Sequence, residues 1–184
     1  MSSEPAPAHA SPLPAWVAAV HAASRALGVA AAGLIALSIF VICHMVFVRA
    51  VLNQSSIWQT EFVTYSLIAA TFIGAPYILL TRGHVSVDVG PLMAGPPLRR
   101  LMYMVGSVIA LVFCGIFFFA SIEWWWDAWS NDLKTPSLWN ARLWIPYLSV
   151  PVGMGLLCLQ FIAEIWLVLT RRQHPFGLSP DERL

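Results

Sequence analysis

The run ALGVAAAGLIALSIFVICHMVFV, Ala26 to Val48, contains no charged side chain. A hydrocarbon core about 30 Å thick is crossed by about 20 helical residues, so this run is long enough to span a membrane. Three more runs of similar character follow, from Phe62 to Leu80, Leu101 to Ile122 and Ile145 to Leu169. In lipid each backbone N–H and C=O must find a partner inside the protein, which makes such runs helices. The expected fold is an all-α integral membrane protein with four transmembrane helices spread over residues 25–172. Residues 1–24, rich in Pro, Ala and Ser, read as a partly disordered cytoplasmic tail, and residues 173–184 as a second cytoplasmic tail.

Composition agrees with the runs. Of the 184 residues 59% are hydrophobic and 10% charged, against about a quarter charged in an ordinary soluble domain. The net charge of +1 gives no basic surface for nucleic acid, and the lipid bilayer is the first partner implied. The opening MSSEPAPAHASPLPAW lacks the basic start and apolar core of a secretory signal. Cys43, Cys114 and Cys158 stand singly in separate apolar runs and read as small buried hydrophobes.

Basic residues set the expected orientation. With the N-terminus in the cytoplasm, the inner side holds Arg25, Arg82, Arg99, Arg100, Arg171, Arg172 and Arg183, and the outer side holds Arg49, Lys134 and Arg142. Seven against three places both termini inside by the positive-inside rule. The outer loop after the third run carries Trp124, Trp125, Trp126, Trp129, Trp139 and Trp144, an aromatic belt for the headgroup layer. Gly74 and Pro76 interrupt the second run, and Pro146, Pro151, Gly153 and Gly155 crowd the last, so kinks and close helix approach are expected there.

The polar segment RGHVSVD, Arg82 to Asp88, closes the second span. Val85, Val89, Leu92 and Met93 share one helical face, as in a short interfacial helix lying in the cytoplasmic loop, while the alternation Val85, Val87, Val89 would suit a strand. His84, Ser86 and Asp88 are packed too closely in one segment to assemble a hydrolytic triad, and no phosphate loop or nucleophile elbow is present. His44 is the one histidine inside an expected span and has no second helix histidine at its depth for a haem. No ionisable residue falls at mid-depth: Glu61 opens the second helix at the outer boundary, and Glu164 near the inner one is placed to reach headgroups. The sequence does not read as an enzyme and offers no catalytic, metal or cofactor site.

From about Arg25 to Arg172 the chain resembles the small membrane subunit of tripartite ATP-independent periplasmic (TRAP) transporters. Trp58 and Glu61 opening the second helix, Gly74 and Ala75 within it, RGHVSVD, a proline at Pro96, and Pro151 with Gly153 carry the resemblance. It implies residence in the bacterial inner membrane and two protein partners. One is a large membrane subunit that holds the solute and sodium sites. The other is a periplasmic solute-binding protein that delivers an organic acid. It also implies a scaffold role for this chain. Trp58, Glu61, Gly74, Arg82, His84 and Asp88 are the expected subunit-contact or anchoring residues, Glu61, Arg82, His84 and Asp88 because they are the polar residues nearest the ends of the second span. Two other readings of the helices stay open at this point: a membrane anchor of an electron-transfer complex, and a four-helix carrier acting alone.

Overall fold

The computed structural model describes residues 14–54, 57–81, 96–137 and 139–170. Helices α1 (Ala15–Val51), α2 (Trp58–Leu80), α3 (Pro96–Ser130), α4 (Trp144–Tyr147) and α5 (Ser149–Leu169) account for nearly all of them. Four helical stretches, with α4 and α5 counted as one, are long and apolar enough to cross a membrane. Among the described residues the only β pairing is an isolated antiparallel bridge between Lys134 and Arg142. The interfacial helix expected between Arg82 and Met93 lies outside the described residues, as do both chain ends.

Two helices are longer than their apolar runs. Helix α1 begins at Ala15, directly after Pro14, so residues expected to belong to a tail are helical. With 37 residues it measures about 55 Å at 1.5 Å per residue, well beyond the hydrocarbon thickness. Helix α3 continues past Ile122 to Ser130 and takes Trp124, Trp125, Trp126 and Trp129 out of the expected loop. No Gly or Pro interrupts residues 123–130, and the indoles of Trp125 and Trp129, one turn apart, sit 5.8 Å apart. At 4.7 Å, edge to face, Trp129 then meets Trp144 of α4. Past the end of α3 Asp132 adopts a left-handed φ of 42°, which a short polar side chain tolerates. This lets Leu133 N–H close back on the Ala128 carbonyl at 3.1 Å, a Schellman-type helix end.

Helix α5 is the hub of the bundle, packing on α1, α2 and α3. The buried side of α1 recurs at Val17, His21, Ser24, Ala31, Ser38 and Val41, mostly in steps of three, four and seven. That is the heptad period of a helix wound left-handed against a neighbour. Ser24, Ala31 and Ser38 at its centre are small, so the backbones come close. Gly28 lies under the Tyr77 ring of α2, and a Cβ on Gly74 would stand 3.2 Å from that of Ala31.

The prolines set the tightest contact. Pro76 lies inside α2 and has no N–H, so the Phe72 carbonyl one turn earlier loses its intrahelical donor. Gly153 of α5 is pressed directly against that carbonyl, in the direction where any other residue would carry Cβ. Its Cα–H thus points at the freed oxygen, a weak but favourable contact in a place without water. In the same way Pro151 leaves the Tyr147 carbonyl without its donor, and the last span breaks into α4 and α5 at Leu148. Of the two carbonyls, that of Phe72 is the one on which another helix is seated.

Gly153→Ala puts a methyl group against main-chain atoms that cannot step aside and should cost about 1–3 kcal/mol, in the range of core overpacking. Gly33→Ala, where nothing lies within 4 Å of the added carbon, should be neutral or slightly stabilising. Thermal unfolding of both variants in detergent measures the difference, and equal melting temperatures would overturn the packing argument.

Candidate functional site

Polar side chains gather at the two ends of the bundle. The end where α1 starts will be called the Pro14 end, and the end where α1 stops the Asn53 end.

At the Pro14 end, α1, α3 and α5 enclose a buried polar network. The Ser24 hydroxyl donates to Gln160 Oε1 at 3.1 Å, Gln160 Nε2 donates to Glu164 Oε1 at 3.4 Å, and the Tyr103 hydroxyl donates to Glu164 Oε2 at 3.3 Å. Ser24 and Gln160 have no solvent exposure and Glu164 only 4%. A carboxylate in such a place is held by donors aimed at it, because an unpaired buried charge costs several kcal/mol. Glu164 was expected to reach outward to the headgroups. Instead it turns into the helix interface, since Gln160 and Tyr103 supply donors there. Arg99 is buried nearby in sequence on α3, and Arg100 donates to the carbonyls of Val168 and Leu169 at 3.4 and 3.3 Å. A cation at the C-terminus of α5 also complements the helix dipole. His21, one turn before Ser24, is buried, and its Nε2 has no hydrogen-bond partner. Below the network Trp16 meets Trp166 edge to face at 5.6 Å, over Val17, Ala163 and Leu167.

At the Asn53 end, the Gln59 amide donates to His44 Nδ1 at 2.6 Å and ties the start of α2 to the end of α1. Trp58, the first residue of α2, is 42% exposed. Glu61 lies in the first turn of α2, where a negative charge suits the helix dipole. Its Oε2 is shielded from solvent and has no hydrogen-bond partner.

The residues singled out in the sequence therefore part company. Trp58 and Glu61 share the first turn of α2. Gly74 is buried in the second half of α2 against Ala31, so the contact it makes is internal to the chain rather than at an outer surface. Arg82, His84 and Asp88 lie outside the described residues. Sequence reasoning missed the Ser24–Gln160–Glu164–Tyr103 network altogether. Its signal was present: Gln160 and Glu164 are one turn apart on a face otherwise apolar, and Ser24 falls in the small-residue seam of α1. Among the described residues no group of His, Cys, Asp and Glu is arranged to hold a metal ion.

A bundle of four membrane-length helices with polar ends and an apolar middle is the architecture of a multi-pass membrane protein. Residues 38–171 match the family of tripartite ATP-independent periplasmic transporters, DctQ component. The chain belongs to this family and is a small permease protein of a TRAP transporter, a multi-pass protein of the bacterial inner membrane. It is similar to the C4-dicarboxylate TRAP transporter small permease protein DctQ of Pseudomonas aeruginosa, with 26% identity over 132 residues covering 71% of this chain and 63% of the relative. It is likewise similar to the proteins of the same name from Vibrio cholerae (25%, covering 68% and 63%) and Rhodobacter capsulatus (26%, covering 58% and 46%). The chain thus spans rather less than two thirds of the length of the relatives it matches. No solved structure matches it.

Replacing Tyr103 by Phe removes one donor from Glu164 and should cost about 1 kcal/mol. Gln160→Leu takes the partner from both Ser24 and Glu164 inside the protein and should cost about 2–3 kcal/mol. Chemical or thermal unfolding in detergent measures both, with Tyr103→Phe the milder of the two.

Proposed function

We propose that this chain is the stationary scaffold of its transporter. It holds and anchors a large membrane subunit, which imports an organic acid with sodium after a periplasmic binding protein has delivered it. C4-dicarboxylates, named for the relatives, are the first solutes to test. One observation carries the reading. Among the described residues the charged side chains stand at the two ends of the bundle, and none reaches mid-depth in the two grooves between the helices. A carboxylate solute taken into hydrocarbon without a partner would cost several kcal/mol, so a chain of this kind is suited to carrying the carrier rather than the solute. Its family also favours this role over an electron-transfer anchor or an independent carrier.

Subunit contact falls, in this reading, to the two ends of α2. At the Asn53 end Glu61, a partly exposed acid, shares the first turn of α2 with the exposed ring of Trp58. The opposite end of α2 leads into Arg82, His84 and Asp88, which we assign to the same task. Glu61→Ala, Arg82→Ala and Asp88→Ala should each lower co-purification of the large subunit and lower transport, while solute capture by the binding protein stays unchanged. A partly buried pair broken on one side loses about 3 kcal/mol or more, an exposed one under about 1 kcal/mol. Co-purification and uptake at the parental level in all three variants would refute the assignment.

Orientation follows the basic residues, with the Pro14 end and both termini in the cytoplasm. In spheroplasts an impermeant thiol reagent should reach Asn131→Cys and leave Ser179→Cys untouched. The reverse pattern would invert the topology.

A further inference from the structure

The segment joining α3 to α4 folds over the end of α2 as a small hairpin. Thr135 N–H donates to the Ala141 carbonyl at 3.0 Å and Leu143 N–H to the Leu133 carbonyl at 2.9 Å, which sets Lys134 directly opposite Arg142. Like charges in such a pair repel. They share one acid: Asp132 Oδ2 lies 3.3 Å from Lys134 Nζ, and its Oδ1 lies 3.9 Å from Arg142 Nε. Two cations against one carboxylate leave a net positive charge on side chains about half exposed. Ion pairs this exposed are weak, so the cations are open to a further anion.

Directly under Arg142 a groove of about 480 Å³ runs between helices. Phe62, Tyr65 and Ala69 of α2 form one wall, Leu34 of α1 its far end, and Trp139 and Pro146 its mouth. The walls are almost wholly apolar, and Arg142 is the one charged residue among them. Its depth can be gauged along α1. Leu34 lies about 15 Å from His44 at the rise of an α-helix, and His44 is tied to Gln59 at the loop end of α2. This distance is about half the hydrocarbon thickness, the depth of one leaflet. The groove therefore runs from headgroup level to the bilayer midplane, apolar along its length and cationic at its mouth.

We propose that this groove is a binding site for an anionic phospholipid of the leaflet facing the α3–α4 hairpin. One acyl chain lies along Phe62, Tyr65, Ala69 and Leu34. The phosphate sits over Arg142 and Lys134, and the Trp139 indole is at the glycerol level, where such rings are favoured. A lipid held there joins the hairpin to α1 and α2. A second groove, of about 360 Å³ between Ile68, Phe72, Phe117 and Tyr147, has no charged residue in its walls. It supplies the contrast, since any acyl chain could enter it whatever its headgroup.

The test is native mass spectrometry of the full chain released from detergent, with phosphatidylglycerol, phosphatidylcholine or inorganic phosphate titrated in. The parent should retain phosphatidylglycerol in preference to phosphatidylcholine, and inorganic phosphate should not displace it. Each basic side chain near a membrane surface contributes about fivefold to attraction of an anionic lipid. Arg142→Gln should therefore reduce the preference about fivefold, and Arg142→Lys should restore most of it. Ala69→Phe, which fills the groove without touching charge, should weaken phosphatidylglycerol binding while leaving the helical circular dichroism spectrum unchanged. Should Ala69→Phe misfold, Ser149→Leu fills the same groove from α5. Equal retention of the two lipids, an unaltered preference in Arg142→Gln, or displacement by inorganic phosphate would each overturn the proposal. Binding of neither lipid would also overturn it, leaving the groove to an apolar side chain of another subunit.

Discussion

A carbonyl oxygen without a hydrogen-bond donor inside a membrane has nowhere to turn, and in this bundle Pro76 creates one at Phe72. The answer is another helix. Because Gly153 has no side chain, α5 can lay its backbone on the freed oxygen, and the crossing of α2 with α5 is fixed at that point. The rest of the arrangement follows from it. With α2 held on one side of α5, α1 closes over both through its small-residue seam, and α3 remains for the other side. A proline that weakens one helix thus specifies how two helices meet.

Charge and polarity are then distributed by depth. The Glu164 carboxylate is kept inside the protein by Tyr103 and Gln160, Arg100 covers the last carbonyls of α5, and His44 is matched by Gln59 at the opposite end. Between these ends the polar side chains Ser38, Thr71 and Ser121 bond back to carbonyls of their own helix, and the contacts between helices are largely apolar. Such a chain is polar at both interfaces and apolar between them, which holds it at a fixed depth in the bilayer. The tryptophans at the end of α3 act in the same sense, and the edge-to-face contact of Trp129 with Trp144 ties α3 to the last span at headgroup level.

Span number and helical character were legible because apolar length in a membrane leaves the backbone no alternative. Helix ends were not, since α1 and α3 run on through residues that hydropathy does not mark as membrane, Ala15 to Arg25 and Glu123 to Ser130. Helices stop at capping residues and prolines, not at the lipid boundary. Gly74 was legible as a residue that matters but not as one facing α1, because a single glycine does not say which neighbour it admits. The Ser24–Gln160–Glu164–Tyr103 network depends on three helices meeting. Its members are far apart in sequence, and each alone resembles an ordinary residue of a helix end. Glu61 was noticed for its place at the head of α2, while the shielding of its oxygen could be seen only in three dimensions.

The contact of Gly28 with the Tyr77 ring, and of Gly74 with Ala31, has a mechanical consequence. On α1 the bare position faces a bulky ring, and about one turn along, on α2, the bare position faces a methyl group. These two steps mesh in a single alignment. Sliding α1 by one turn would drive the Tyr77 ring into Ser24 or toward Ala31 and Ala32, where there is Cβ instead of space. Axial shear between the first two helices is therefore blocked by shape alone, without a single charge. Any force along the axis of either helix is therefore shared by both.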